Sequence, residues 1–208
     1  MTIKKIKAVF FDFDGVLTVQ KSGSFVTNDF ISRKIGLAYD DFDKVIRPFN
    51  NKLLLGELTH KDIWPQICNE LKISIDYSIL NEAFLSTKMN TNIIDIAKKL
   101  RKNFFIGMIT DNKKDRIDWL RKYHNFDSLF SCYVISSQIG ALKTEEKPFV
   151  EAVRKNGFEY DECIFIDNNK KNLVVPQKLG IHTIFYDDEK NDYKELHEIL
   201  YRQYRLVI

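Results

Sequence analysis

From Asn92 onward, short apolar runs alternate with stretches of helical periodicity, and this alternation constrains the fold more than any other feature of the chain. Ile93, Ile94, Ala97 and Leu100 follow helical spacing, "FFIGMI" (104–109) reads as a buried strand, and "KKDRIDWLRKYH" (113–124) is helical again. "CYVIS" (132–136) is a strand, "EEKPFVEAVRKNG" (145–157) a helix stopped by Gly157, and "CIFI" (163–166) a strand. "KKNLVVPQKLG" (170–180) reads as a helix broken or kinked near Pro176, "HTIFY" (182–186) as a strand, and "YKELHEILYRQYRL" (193–206) as a last helix. Strands that are apolar on both faces, each followed by a helix, imply a parallel sheet covered on both sides. "IKAVFF" (6–11) supplies one more strand. The expected fold class is α/β, a doubly wound parallel sheet.

Residues 18–90 lack this alternation. They predict helices near 28–37, 41–55, 59–72 and 76–88, the third opened by Thr59 with Asp62 three residues on, ahead of Ile63, Trp64 and Ile67. Such an insert is too long for a crossover loop. The expected organisation is a small all-helical cap domain (18–90), with Trp64 in its interior, set into a core domain made of 1–17 plus 91–208.

Bulk properties narrow the function classes. The chain has 208 residues, 44% hydrophobic and 29% charged, as an ordinary globular protein does. A net charge of +3 argues for neither a nucleic acid nor an anionic membrane partner. Cys68, Cys132 and Cys163 are odd in number and widely spaced, against a disulfide scaffold or a zinc site, and Cys132 and Cys163 fall in strand-like runs. The apolar run before Asp12 is too short for a signal-peptide core, and no stretch is long enough to span a membrane. A cytoplasmic protein is expected.

Ligands of open parallel sheets bind beyond the carboxyl ends of the strands. The residues found there are "DFDG" (12–15), "TDN" (110–112), "SQIGALK" (137–143) and "DNNKKN" (167–172). Taken singly, each has an ordinary explanation. The first could be a turn eased by Gly15, Thr110 a helix N-cap, Lys143 a solvated lysine, and Asp167 a helix start. Taken together, at successive strand ends, these acidic, hydroxylic and cationic groups suit a magnesium ion and a phosphate. Carboxylates beside "FF" are costly to bury unless paired or metal-bound. Phe13, between them, is expected to pack beneath the site.

Four segments, "FFDFDGVLT" (10–18), "GMITDN" (107–112), "SSQIGALKTEEKPF" (136–149) and "CIFIDNNKKN" (163–172), resemble the motifs of the haloacid dehalogenase (HAD) superfamily, mostly phosphatases and phosphotransferases. The helical insert resembles the family's first type of cap. The resemblance implies a Mg2+-dependent phosphatase acting on a small phosphorylated metabolite, with Asp12 as nucleophile forming an aspartyl-phosphate and Asp14 as general acid–base. It implies that Thr110, Asp111 and Lys143 bind the phosphate. Magnesium would be held by Asp12, the Asp14 carbonyl, and Asp167 or Asn168. A monomer or weak homodimer is expected.

Two departures stand out. Lys143 is followed by "TEEKPF" rather than Pro-Asp-Pro, so Lys147 competes for its role. Asn168 stands where the family commonly has the second of two acids. Alternatives within the family are a phosphomutase, a haloacid dehalogenase, which typically lacks an acid at the Asp14 position, or a non-catalytic member that binds a phosphorylated ligand.

Overall fold

A computed structural model describes residues 5–207, so the basic start at 1–4 lies outside it. Five strands form one parallel sheet in the order β3-β2-β1-β4-β5. They are β1 (Ala8–Phe11), β2 (Phe105–Thr110), β3 (Cys132–Ile135), β4 (Cys163–Asp167) and β5 (His182–Phe185). β1 is central, with Phe11 in register with Met108 of β2 on one side and Ile166 of β4 on the other.

The two-residue period of a strand sends alternate side chains of "AVFF" to opposite faces. Val9 and Phe11 enter one apolar cluster, with Ile93, Leu100, Ile117 and Leu200, while Ala8 and Phe10 enter another, with Phe149, Ala152 and Val153. Helices α6 (Thr91–Leu100), α7 (Lys114–Tyr123) and α11 (Tyr193–Tyr204) therefore cover one face. Helix α9 (Lys147–Arg154) covers the other, following the short helix α8 (Ser136–Ile139). The doubly wound sheet is as expected.

Between β1 and α6 the chain forms five further α-helices: α1 (Gly23–Lys34), α2 (Tyr39–Ile46), α3 (Asn50–Leu55), α4 (His60–Leu71) and α5 (Ile79–Leu85). The stretch expected as one helix over 41–55 is two, because Pro48 lacks the N–H that a continuous helix needs and a 3₁₀ turn forms at Arg47–Phe49. Thr59 and Asp62 close a reciprocal capping box at the start of α4. Trp64 is buried and donates its indole N–H to the Ile75 carbonyl at 2.9 Å. The ways in and out of the insert run side by side: the Val19 N–H donates to Lys88 O and the Asn90 N–H to Leu17 O, both at 2.9 Å.

The break expected near Pro176 falls just ahead of it. Residues Lys170–Leu173 form a 3₁₀ turn, and Pro176 lies in the first turn of α10 (Val174–Leu179), where a missing N–H costs no helical bond. Leu200 is buried and Tyr204 packs on His182, while Tyr201 faces solvent. No helix among the described residues is long and apolar enough to cross a membrane.

Candidate active site

The central position of β1 brings the ends of β1, β2 and β4 together at the carboxyl edge of the sheet. The Asp12 N–H extends the ladder to Ile166 O at 2.9 Å, and a wide turn over Phe13–Leu17 follows. Gly15 takes φ +81° there, and a Cβ on it would lie 2.2 Å from Asn168 Nδ2, so both backbone and space demand glycine.

Asp12 is buried, and its Oδ1 accepts from the Phe13 N–H and from Lys143 Nζ, both at 2.7 Å. Both bonds fall on one oxygen, which leaves Oδ2 for the cleft that Asp12 lines. Lys143 arrives from the loop after α8, where its N–H donates to Asp111 Oδ1 at 3.0 Å. Its ammonium also reaches Asp167 Oδ2 at 2.7 Å, so a single buried cation bridges two buried carboxylates. Burial opposes the lysine charge, but Asp12, Asp167 and Asp111 outweigh it and hold the ammonium above its ordinary value. Burial pushes the Asp12 carboxyl up to about 8, with Lys143 pulling it down and Asp167 adding repulsion. Burial and Asp167 also raise Asp111, with Lys143 opposing.

Asp167 is completely buried, and protein donors cover both of its oxygens. Oδ1 accepts from the Asn169 N–H at 2.7 Å and Asn172 Nδ2 at 3.3 Å, and Oδ2 accepts from Asn172 Nδ2 at 3.2 Å besides Lys143. Its Oδ2 thus anchors the Lys143 ammonium, and the next residue, Asn168, lines the cleft. Lys147 is exposed at the start of α9 and donates to the Ile139 carbonyl, away from Asp12. Thr110 is buried at the end of β2 and lines the same cleft as Asp12, Asp14, Asp111 and Lys143. Phe13 packs beneath the site, edge-on to Phe126 at 6.3 Å.

Three features escaped sequence reasoning. Arg116, buried on α7, grips Asp14 through both oxygens, and Asn112 Nδ2 donates to Asp14 Oδ2 at 2.7 Å. The four-residue spacing of Asn112 and Arg116 lets Arg116 Nη1 donate to Asn112 Oδ1 at 3.1 Å, but such a spacing is too common to single Arg116 out in sequence. Asp188, after β5, accepts from Asn168 Nδ2 at 3.2 Å. Extending the inventory of strand ends to the fifth strand would have reached it. Lys113 is buried where the cleft meets the insert.

The cleft, of roughly 750 Å³, is strongly polar, and its outer rim carries the Lys21–Glu189 ion pair. Among the described residues no three His, Cys, Asp or Glu side chains converge as a ready metal cage. The cleft is lined by oxygen donors, among them the Asp12, Asp111 and Asp188 carboxylates and the Asn168 amide. Such an oxygen set with room for water suits magnesium, which keeps several waters, better than softer metals that favour nitrogen or sulfur.

The family model for haloacid dehalogenase-like hydrolases matches residues 6–174. The chain belongs to the haloacid dehalogenase-like hydrolases. Solved HAD structures share its fold. A predicted HAD-like family hydrolase of Porphyromonas gingivalis superposes with TM-score 0.74 at 20% identity, covering 94% of this chain and 98% of that one. A HAD family enzyme of Bacteroides thetaiotaomicron, in complex with magnesium and inorganic phosphate, gives 0.74 at 21%, covering 92% and 98%. A HAD phosphatase of Thermococcus onnurineus gives 0.65 at 19%, covering 94% and 98%.

Proposed function

We propose that this HAD hydrolase is a magnesium-dependent phosphatase of small phosphorylated metabolites, working through an aspartyl-phosphate on Asp12. The observation that carries this is the Lys143 ammonium, 2.7 Å from Asp12 and 2.7 Å from Asp167. It holds a buried carboxylate in one orientation and leaves positive charge where phosphoryl oxygens would lie. The B. thetaiotaomicron enzyme, bound to magnesium and phosphate, supports the same ligands here.

The oxygen donors of the cleft fit magnesium, with Asp12, the Asp14 carbonyl and Asn168 as its holders and Asp188 fixing the Asn168 amide. Bound there, the ion would screen the charge between Asp12 and the phosphoryl group. The Asp12 oxygen facing the cleft attacks phosphorus and the P–O bond to the leaving group breaks. Thr110 donates to a phosphoryl oxygen, and Lys143 balances the charge. Asp14 gives the leaving oxygen its proton, then takes one from the water that hydrolyses the acyl phosphate. To do so it must turn from its Arg116 partner toward the cleft. The helices between Gly23 and Leu85 form the cap, hinged where residues 17–19 and 88–90 run together, and exclude bulk water when closed.

The test is hydrolysis of p-nitrophenyl phosphate with and without magnesium. Magnesium-dependent release that Asp12→Asn abolishes supports the reading. Metal-independent halide release from a haloacid, without phosphatase activity, would overturn it.

A further inference from the structure

Lys113 follows Asn112 at the start of α7 and is only 8% exposed. An ammonium has three N–H donors. Two are used on neutral oxygens of the insert, Ser24 Oγ at 2.6 Å and Asn50 Oδ1 at 2.8 Å. The neighbouring carboxylates are committed elsewhere: Asp14 to the Arg116 fork, and Asp115 to His60 Nδ1 at 2.7 Å. A buried charge is costly unless paired. Burial, with repulsion from Arg116, pushes Lys113 down to about 8 against the pull of Asp14 and Asp115. Its surroundings are short of one negative charge.

That shortage lies on the route a substrate takes. Lys113, Ser24 and Asn50 line the cleft that holds Asp12 and Thr110, and also a smaller cavity of roughly 230 Å³ beneath the insert. Elsewhere in that cavity, Asp43 is already satisfied by Arg47 and Asn28, so an anion gains nothing there. The favourable position is where the cavity adjoins the cleft, at Lys113.

We propose that Lys113, with Ser24 and Asn50, forms the subsite for a second anionic group, a carboxylate or a further phosphate, on the leaving part of the substrate. The substrate class is then a phosphate ester carrying another negative charge. The orientation, with the transferred phosphoryl group at Asp12, rests on the phosphatase reading, whereas the anion subsite itself does not.

The experiment is calorimetric binding to the wild-type protein with magnesium present. It compares ω-phosphonocarboxylates with alkylphosphonates of matched length across a series of lengths. Phosphonates are not hydrolysed, so failure of turnover with aryl phosphate would overturn the proposed function, while failure here would overturn the subsite. At one length or more the carboxylate should bind about tenfold tighter or better, the scale of one hydrogen bond to a charged group. Alkane bisphosphonates tell whether the second anion is better met as carboxylate or as phosphate. In Lys113→Met, and in Asn50→Asp, which sets a carboxylate against the ammonium, the ratio within each pair should collapse toward one. Equal affinity within every pair, or a preference that survives in a folded Lys113→Met protein, would overturn the proposal.

Discussion

Arg116 forks onto Asp14, Nη1 to Oδ2 at 2.8 Å and Nη2 to Oδ1 at 2.9 Å, almost wholly out of solvent. The guanidinium also donates to Thr87 Oγ1 at 3.2 Å, near the end of the insert, and lies 5.4 Å from the Phe13 ring centroid. Gly23 roofs it, since a Cβ there would come within 2.2 Å of Nη1. The proposed acid–base group is thus tied to a residue in contact with both ends of the insert. Removing one partner of such a pair leaves an uncompensated charge. Arg116→Met should lose about 3 kcal/mol of stability in urea denaturation. Combined with Asp14→Asn, the loss should fall short of the sum of the single losses by about 1–3 kcal/mol. Strict additivity would mean that the fork contributes nothing.

The two candidate lysines separate cleanly. Lys143→Met should cost about 10²-fold or more in kcat/KM for an aryl phosphate, as loss of a preorganised charge at the phosphoryl site does. Lys147→Met should leave it essentially unchanged, because its ammonium reaches only the Ile139 carbonyl. The reverse ranking would transfer the role to Lys147.

Much of this was legible in the sequence, because hydrophobic periodicity reports burial directly. "AVFF" and "CIFI" carry no polar residue, since both of their faces are covered. Asp12, Thr110 and Lys143 were found by the rule that ligands gather at strand ends. Which of Asp167 and Asn168 faces the cleft was not legible: adjacent residues at a strand end point opposite ways, and only the register of Lys143 and Asn172 tells which one faces inward. Arg116 and Lys113 look in sequence like any charged residue at a helix start. What marks them is burial under the insert, a tertiary fact.

The fourth motif yields a magnesium titration. Asp188→Asn should raise the concentration needed for half-maximal activity about tenfold, since Asp188 orients the Asn168 amide. Asn168→Asp should lower it by supplying a charged ligand. Asp167→Asn should cut the rate at saturating magnesium without moving the midpoint, because Asp167 acts on Lys143. A midpoint that moves with Asp167 and not with residue 168 would reverse the assignment.

Lys113 makes stability depend on alkaline pH in a defined sense. Its ammonium titrates at about 8 in the folded protein, against an ordinary 10.5. Between these values the unfolded chain binds the extra proton, so stability contributed by this group rises with pH across the window. The rise is on the order of 3 kcal/mol for a shift of this size. Urea midpoints for wild type and Lys113→Met across the window isolate it, and the variant should lack this component. Parallel curves would mean that Lys113 is already neutralised by its neighbours.

The central claim is that Asp12 carries the phosphoryl group. The direct measurement is to mix the enzyme with p-nitrophenyl phosphate and magnesium, quench in acid during turnover, and reduce with borohydride, which converts an acyl phosphate to an alcohol. Peptide mass spectrometry should then find homoserine in place of Asp12, and Asp12 unchanged when substrate is omitted. Steady hydrolysis with Asp12 unreduced, or undiminished in Asp12→Asn, would contradict the account.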